Sequence, residues 1–161
     1  MPRNLRWASF ALVLAVTATA TPAVALEHGV VTRGYFTAHG RFGNFYGAEA
    51  RLLRNGPAFL GVSGFGGPVL NAPRSALGYG GVVVGVGSSV LGGMHVASRL
   101  WVGGGGGLLE GQRLIALSFE PSVSLGFPVS EQVTGSVTVG YLQMLGIENL
   151  HGLVIGFRAD M

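Results

Sequence analysis

From Ile115 to Phe127 apolar and polar positions alternate without a break. Ile115, Leu117, Phe119, Pro121, Val123, Leu125 and Phe127 hold one parity, and Ala116, Ser118, Glu120, Ser122, Ser124 and Gly126 hold the other. Successive side chains of a strand point to opposite faces, so this period of two predicts one apolar face and one small or polar face. The rhythm returns after Pro128-Val129-Ser130-Glu131, where Val133, Val137, Val139 and Tyr141 oppose Thr134, Ser136, Thr138 and Gly140. It returns again after Gly146-Ile147-Glu148-Asn149, where Leu153, Ile155, Phe157 and Ala159 oppose Gly152, Val154, Gly156 and Arg158. Pro121 brings no N–H to a ladder and predicts a bulge or register break within its strand.

Upstream, Gly, Asn and Pro punctuate β-branched and aromatic runs at regular intervals. The same reasoning predicts strands over 30–39, 45–54, 58–65, 77–87, 93–102, 113–127, 132–143 and 150–159. Eight strands with short connections suit membrane-crossing strands of about 9–11 residues. The connections after the second strand (Asn55-Gly56-Pro57), the fourth and the sixth read as tight, whereas 66–76 and 103–112 read as long loops. The expected fold is therefore all-β: a closed eight-stranded antiparallel up-and-down transmembrane barrel, with both termini on the tight-turn rim. The rival is a membrane helix over 75–98, a run without a charged residue that includes the Gly81-xxx-Gly85 spacing. Its Val and Gly content favours a strand, since both are poor helix formers.

The N-terminal segment has a different character. Arg3 and Arg6 precede the apolar run Ala8 to Val16, and Pro22 precedes Ala23-Val24-Ala25. That order predicts a signal peptide over residues 1–25, cut after Ala25, with 26–161 as the barrel domain. The apolar run falls short of the roughly 17–25 residues a spanning helix needs.

Composition narrows the chemistry. Only 11% of the 161 residues are charged and 29 are glycine, against about 25% charged in ordinary soluble domains. There is no Cys, and all ten basic residues are Arg. Disulfides, thiolate zinc sites, phosphate-loop lysines and Schiff-base chemistry are thereby excluded. Without Arg3 and Arg6 the net charge falls from +3 to +1, and no basic run marks a nucleic-acid footprint. With one Asp and scattered His28, His39 and His151, neither a metal cluster nor a cofactor is expected.

The leader, the strand number and the alternation together resemble the small eight-stranded outer-membrane β-barrels of Gram-negative bacteria, over the whole chain after the leader. The resemblance implies residence in the outer membrane, contact with outer-membrane lipid and with the barrel-insertion machinery, and an aromatic near the chain end. Phe157 lies four residues short of that end. It also implies a structural or surface-interaction role without catalysis, with loops 66–76 and 103–112 meeting any extracellular partner.

If the Val and Leu parity faces lipid, the other parity gathers Arg33, Glu49, Arg51, His95, Arg99, Glu120 and Arg158 in the lumen. A buried charge costs several kcal/mol unless paired, so Glu49 and Glu120 are each expected to contact an Arg. Four Arg against two Glu would leave positive charge, able to hold an anion near the rim. Eight strands leave room only for side chains, since an aqueous channel takes about 16. Phe127, Tyr141 and Phe157 are expected at the membrane interfaces. Tyr35, Phe36, Phe45, Tyr46, Tyr79 and Trp101 are divided between girdle and core, and inward glycines make room for Phe65 and Trp101. One alternative is a soluble periplasmic, lipocalin-like barrel with the apolar parity turned inward around an apolar ligand. Another is a lipid-modifying enzyme built on His95-Val96-Ala97-Ser98, but a spacing of three sends those two side chains to opposite faces.

Overall fold

The structure, a computed structural model, describes residues 27–145 and 150–160. The expected leader and cleavage point, the 146–149 turn and Met161 lie outside these residues. Eight strands follow in order: β1 Glu27–Thr37, β2 Phe42–Asn55, β3 Ala58–Pro68, β4 Ala76–Ser89, β5 His95–Leu109, β6 Gln112–Pro128, β7 Thr134–Leu145 and β8 His151–Asp160. Each pairs antiparallel with the next, and β1 closes on β8 from Gly29↔Asp160 to Thr37↔Gly152. Closure leaves no free sheet edge. Among the described residues no helix is long and apolar enough to span a membrane, and the uncharged run 75–98 forms β4 and the start of β5.

Three expectations are corrected. The run Gly103–Gly107 is strand, not loop: it continues β5 in register with both neighbours, from Gly81↔Gly103 to Gly107↔Leu114. The connection after β5 is therefore only the two-residue turn Glu110-Gly111, with φ 52° and 84°. Strand β6 keeps its register past Pro121, which pairs with Leu100. Only the β7 ladder skips Glu120 and Pro121, resuming in the same register at Ser122↔Gly140. A missing N–H omits a pairing without inserting a residue, and the register shift found among the described residues lies instead between Arg51 and Leu53 of β2. Finally, among the described connections the two rims differ little in length. On the rim that holds the start of β1 and the end of β8, here the terminal rim, connections run 56–57, 90–94 and 129–133; opposite it they run 38–41, 69–75 and 110–111.

The two faces divide as the alternation predicts. Ile115 and Leu117 are 93% and 67% exposed on the outer wall, with Val30, Val123, Val139 and Leu153 also exposed. Inside, Arg33 is 2% and Glu120 0% exposed. The apolar parity points away from the barrel axis, which removes the lipocalin-like arrangement. A soluble monomer rarely exposes so continuous an apolar surface.

Candidate functional site

The interior is layered. Toward the terminal rim lies an ionic layer supplied by five strands. Arg33 (β1) donates to Glu120 (β6) at 2.7 Å and to the Tyr79 hydroxyl at 3.4 Å, and its guanidinium lies 3.8 Å from the centre of the Phe65 ring. Glu49 (β2) accepts from Arg99 (β5) on one carboxylate oxygen and from Arg158 (β8) on the other. Arg158 also pairs with Asp160, and Arg99 reaches the Thr138 hydroxyl. Three guanidiniums thus face three carboxylates. The surplus of positive charge expected from sequence is absent from this layer, because Asp160 belongs to it and Arg51 does not.

Arg51 and His95 lie at the terminal rim. Arg51 is half-buried, bonded to Glu27 at 2.9 Å and lying over the Phe59 ring. His95 is exposed, and its Nδ1 lies 3.1 Å from the Ser89 hydroxyl. Both line an open vestibule of about 560 Å³, with Arg54, Gln132, Ser136 and Asp160 among its other walls. Ser98 is exposed on the outer face of β5 and shares no site with His95. Among the described residues no group of three or more His, Asp or Glu forms a metal site.

Beyond the ionic layer an aromatic layer fills the lumen. Tyr79 is its hub, with ring centres 5.8 Å from Phe45, 5.2 Å from Phe65 and 5.1 Å from Trp101, and Tyr35 packs on Phe45 at 5.9 Å. Tyr35, Phe45, Tyr79 and Trp101 are therefore core residues and not girdle residues. Their parity shows why: Tyr35 follows Arg33 by two, Phe45 precedes Glu49 by four, and Trp101 follows Arg99 by two. The signal was present in the alternation. Inward glycines admit these rings, since a Cβ on Gly103 would collide with the Gly80 carbonyl and the Trp101 ring, and one on Gly105 would lie 2.8 Å from Tyr79 Cβ.

The opposite rim is capped. Buried Val69, Ala72, Leu142, Met144 and Leu150 join the aromatic layer in one cluster. The β3–β4 connection is tied to the adjoining β1–β2 turn by Asn71, whose side chain accepts from the Phe42 N–H at 2.8 Å and donates to the Gly40 carbonyl. Ser75 Oγ accepts from the Glu110 N–H at 2.8 Å, and Arg41 bridges to Glu110 at 3.1 Å. On the outer wall, Phe127 and Phe157 are exposed near the terminal rim, and Tyr141 with Phe36 toward the capped rim.

No family model and no curated protein sequence matches the chain. Solved structures do. Neisserial surface protein A is 12% identical with a TM-score of 0.62, the match covering 84% of this chain and 94% of that one. Ail, the attachment invasion locus protein of Yersinia pestis, is 12% identical with a TM-score of 0.54, covering 84% and 93%. A de novo designed transmembrane β-barrel is 14% identical with a TM-score of 0.51, covering 84% and 95%. The closed eight-stranded architecture agrees with these comparisons: the fold is that of the small eight-stranded outer-membrane β-barrels.

Proposed function

We propose that the chain is a non-catalytic outer-membrane barrel, closed to solutes along its axis, that acts through the surface of its capped rim. The observation that carries the membrane placement is the division of faces: Ile115, Leu117, Val123 and Val139 stand exposed while Arg33, Glu49, Glu120 and Arg158 are buried. In water that wall would be a liability; in hydrocarbon it is the stable arrangement, since closed strands satisfy all backbone groups internally. The lumen is plugged by two different means, paired ions and edge-packed rings, so ion flow would require breaking buried salt bridges. The terminal rim faces the periplasm, as expected for an up-and-down barrel, and the tied cap faces outward.

A non-catalytic role draws support from the character of the His95–Ser89 contact. His95 meets Ser89 at the vestibule mouth, and no carboxylate hydrogen-bonds to the ring among the described residues. The similar Yersinia pestis protein is an attachment invasion locus protein, which favours a contact role for the capped rim, built from 38–41, 69–75 and the Glu110-Gly111 turn. Cell fractionation with gel mobility of heated and unheated samples tests the placement. Membrane-fraction protein whose mobility changes on boiling is expected; release into the soluble periplasmic fraction contradicts the reading. Planar-bilayer recording tests the plug, and steady conductance would contradict it.

A further inference from the structure

The outer wall of β3, β4 and β5 holds a recess floored by backbone. Gly64, Gly80 and Gly104 lie in register as one row, and Gly66, Gly78 and Gly106 as the next. On the β6 side the recess is walled by Leu117 and Ile115, which pair with Gly104 and Gly106. Tyr46, paired with Gly66 and 60% exposed, walls the β2 side. The row below is Val62, Val82 and Val102, and the row above ends in Leu108 and Arg113. Arg113 shares the outward parity of Ile115, two residues away on β6, and stands at the head of the recess. It is exposed and makes no ion pair among the described residues, while Glu110 of the adjoining turn is held by Arg41.

The barrel's own packing does not require five of the six floor glycines. A Cβ on Gly64, Gly66, Gly78, Gly80 or Gly104 would meet nothing closer than 3.4 Å, whereas one on the sixth floor glycine, Gly106, would lie 2.7 Å from the Leu114 carbonyl, and one on the inward Gly81 or Gly103 would also strike a backbone carbonyl. Glycine inside a strand is unfavourable unless something must approach the backbone closely.

We propose that the recess seats a phosphorylated lipid of the surrounding leaflet, its acyl chain lying on the glycine floor between Tyr46 and Ile115 and its phosphate held by Arg113. Charge complementarity selects this occupant. An unpaired guanidinium at the edge of an apolar band sits at headgroup depth, and its planar fork matches two phosphate oxygens. The side-chain-free floor gives a chain backbone-deep van der Waals contact that projecting Val or Leu would deny it. The proposal rests on the membrane placement above.

The test uses the barrel folded in dodecyl maltoside micelles with phosphatidylglycerol or diacylglycerol of the same acyl chains, the bound lipid being read by native mass spectrometry. The native chain is expected to retain one phosphatidylglycerol, and to prefer it to diacylglycerol by about fivefold, the worth of one Arg at a charged interface. Arg113→Gln removes that preference, and Gly80→Leu, which fills the floor, removes retention of both lipids. Both substitutions face outward, and the heat-modified gel shift checks folding in the same samples. Equal retention of the two lipids by the native chain, or variants that retain phosphatidylglycerol as well as it does, overturns the proposal. A lipid-free dimer that Gly80→Leu converts to monomer also overturns it, assigning the recess to a second copy of the chain. A chain recovered in the soluble periplasmic fraction overturns the membrane reading as well; a membrane-fraction chain that shows no preference overturns this inference alone.

Discussion

Arg33 on β1 and Glu120 on β6 meet at 2.7 Å although their strands are not neighbours in the barrel. The pair crosses the lumen and forms only when the sheet has closed. Both groups are buried, so removing one leaves an uncompensated charge in a space with little water, at a cost of about 3–5 kcal/mol. Glu120→Leu is expected to lower the stability of the vesicle-folded barrel by that amount in urea titration. Adding Arg33→Met should recover most of the loss, because replacing both members by apolar groups is close to neutral.

Glu49 ties three strands together, as it accepts from both Arg99 and Arg158. Truncating it leaves two guanidiniums without their shared carboxylate, although Arg158 keeps Asp160. Glu49→Gln should therefore destabilise the barrel more than Arg99→Gln. A double-mutant cycle between positions 49 and 99 should give a coupling of about 0.5–3 kcal/mol, the range for residues in one network. Additive losses would show that the two groups do not interact.

The glycines of β5 separate into two kinds with opposite responses to alanine. Gly103 faces inward, and its added Cβ would collide with the Gly80 carbonyl and the Trp101 ring; Gly104 faces outward, and its nearest neighbour would be 3.9 Å away. Gly103→Ala is expected to lower the temperature at which gel mobility shifts. Gly104→Ala should leave it unchanged or raise it, since alanine in a strand interior is favoured over glycine by roughly 0.5–1 kcal/mol.

These glycines also mark where the sequence was hard to read. Alternation is carried by side chains, so it is plain in Ile115 to Phe127 and silent across Gly103 to Gly107, where the strand continues without a signal. The ionic layer was legible for Arg33, Glu49, Arg99, Glu120 and Arg158, whose parity opposes the apolar residues. Asp160 shares the parity of Arg158 but ends its strand, and Glu27, the partner of Arg51, begins one, where alternation gives the least signal. Parity alone does not report depth along the strand. Arg51 and His95 thus share the inward register of the buried charges yet stand at the open mouth.

At mid-height on the outer wall a charge has no partner and no water. Val139 is exposed between Val123 of β6 and Ile155 of β8. Val139→Arg should destabilise the vesicle-folded barrel by about 2–4 kcal/mol, the cost at mid-bilayer. In a soluble barrel the same change would be nearly neutral.

The central claim is that successive residues of one strand look into different media, and Ser122 and Val123 of β6 offer the sharpest test. Ser122 is 8% exposed inside and Val123 54% exposed outside. The chain has no cysteine, so Ser122→Cys and Val123→Cys each place a single thiol for bimane labelling before folding into vesicles containing brominated lipid. The account predicts strong quenching of the probe at position 123 and little at position 122. Quenching at 122 with none at 123 would contradict it, because the apolar parity would then face inward.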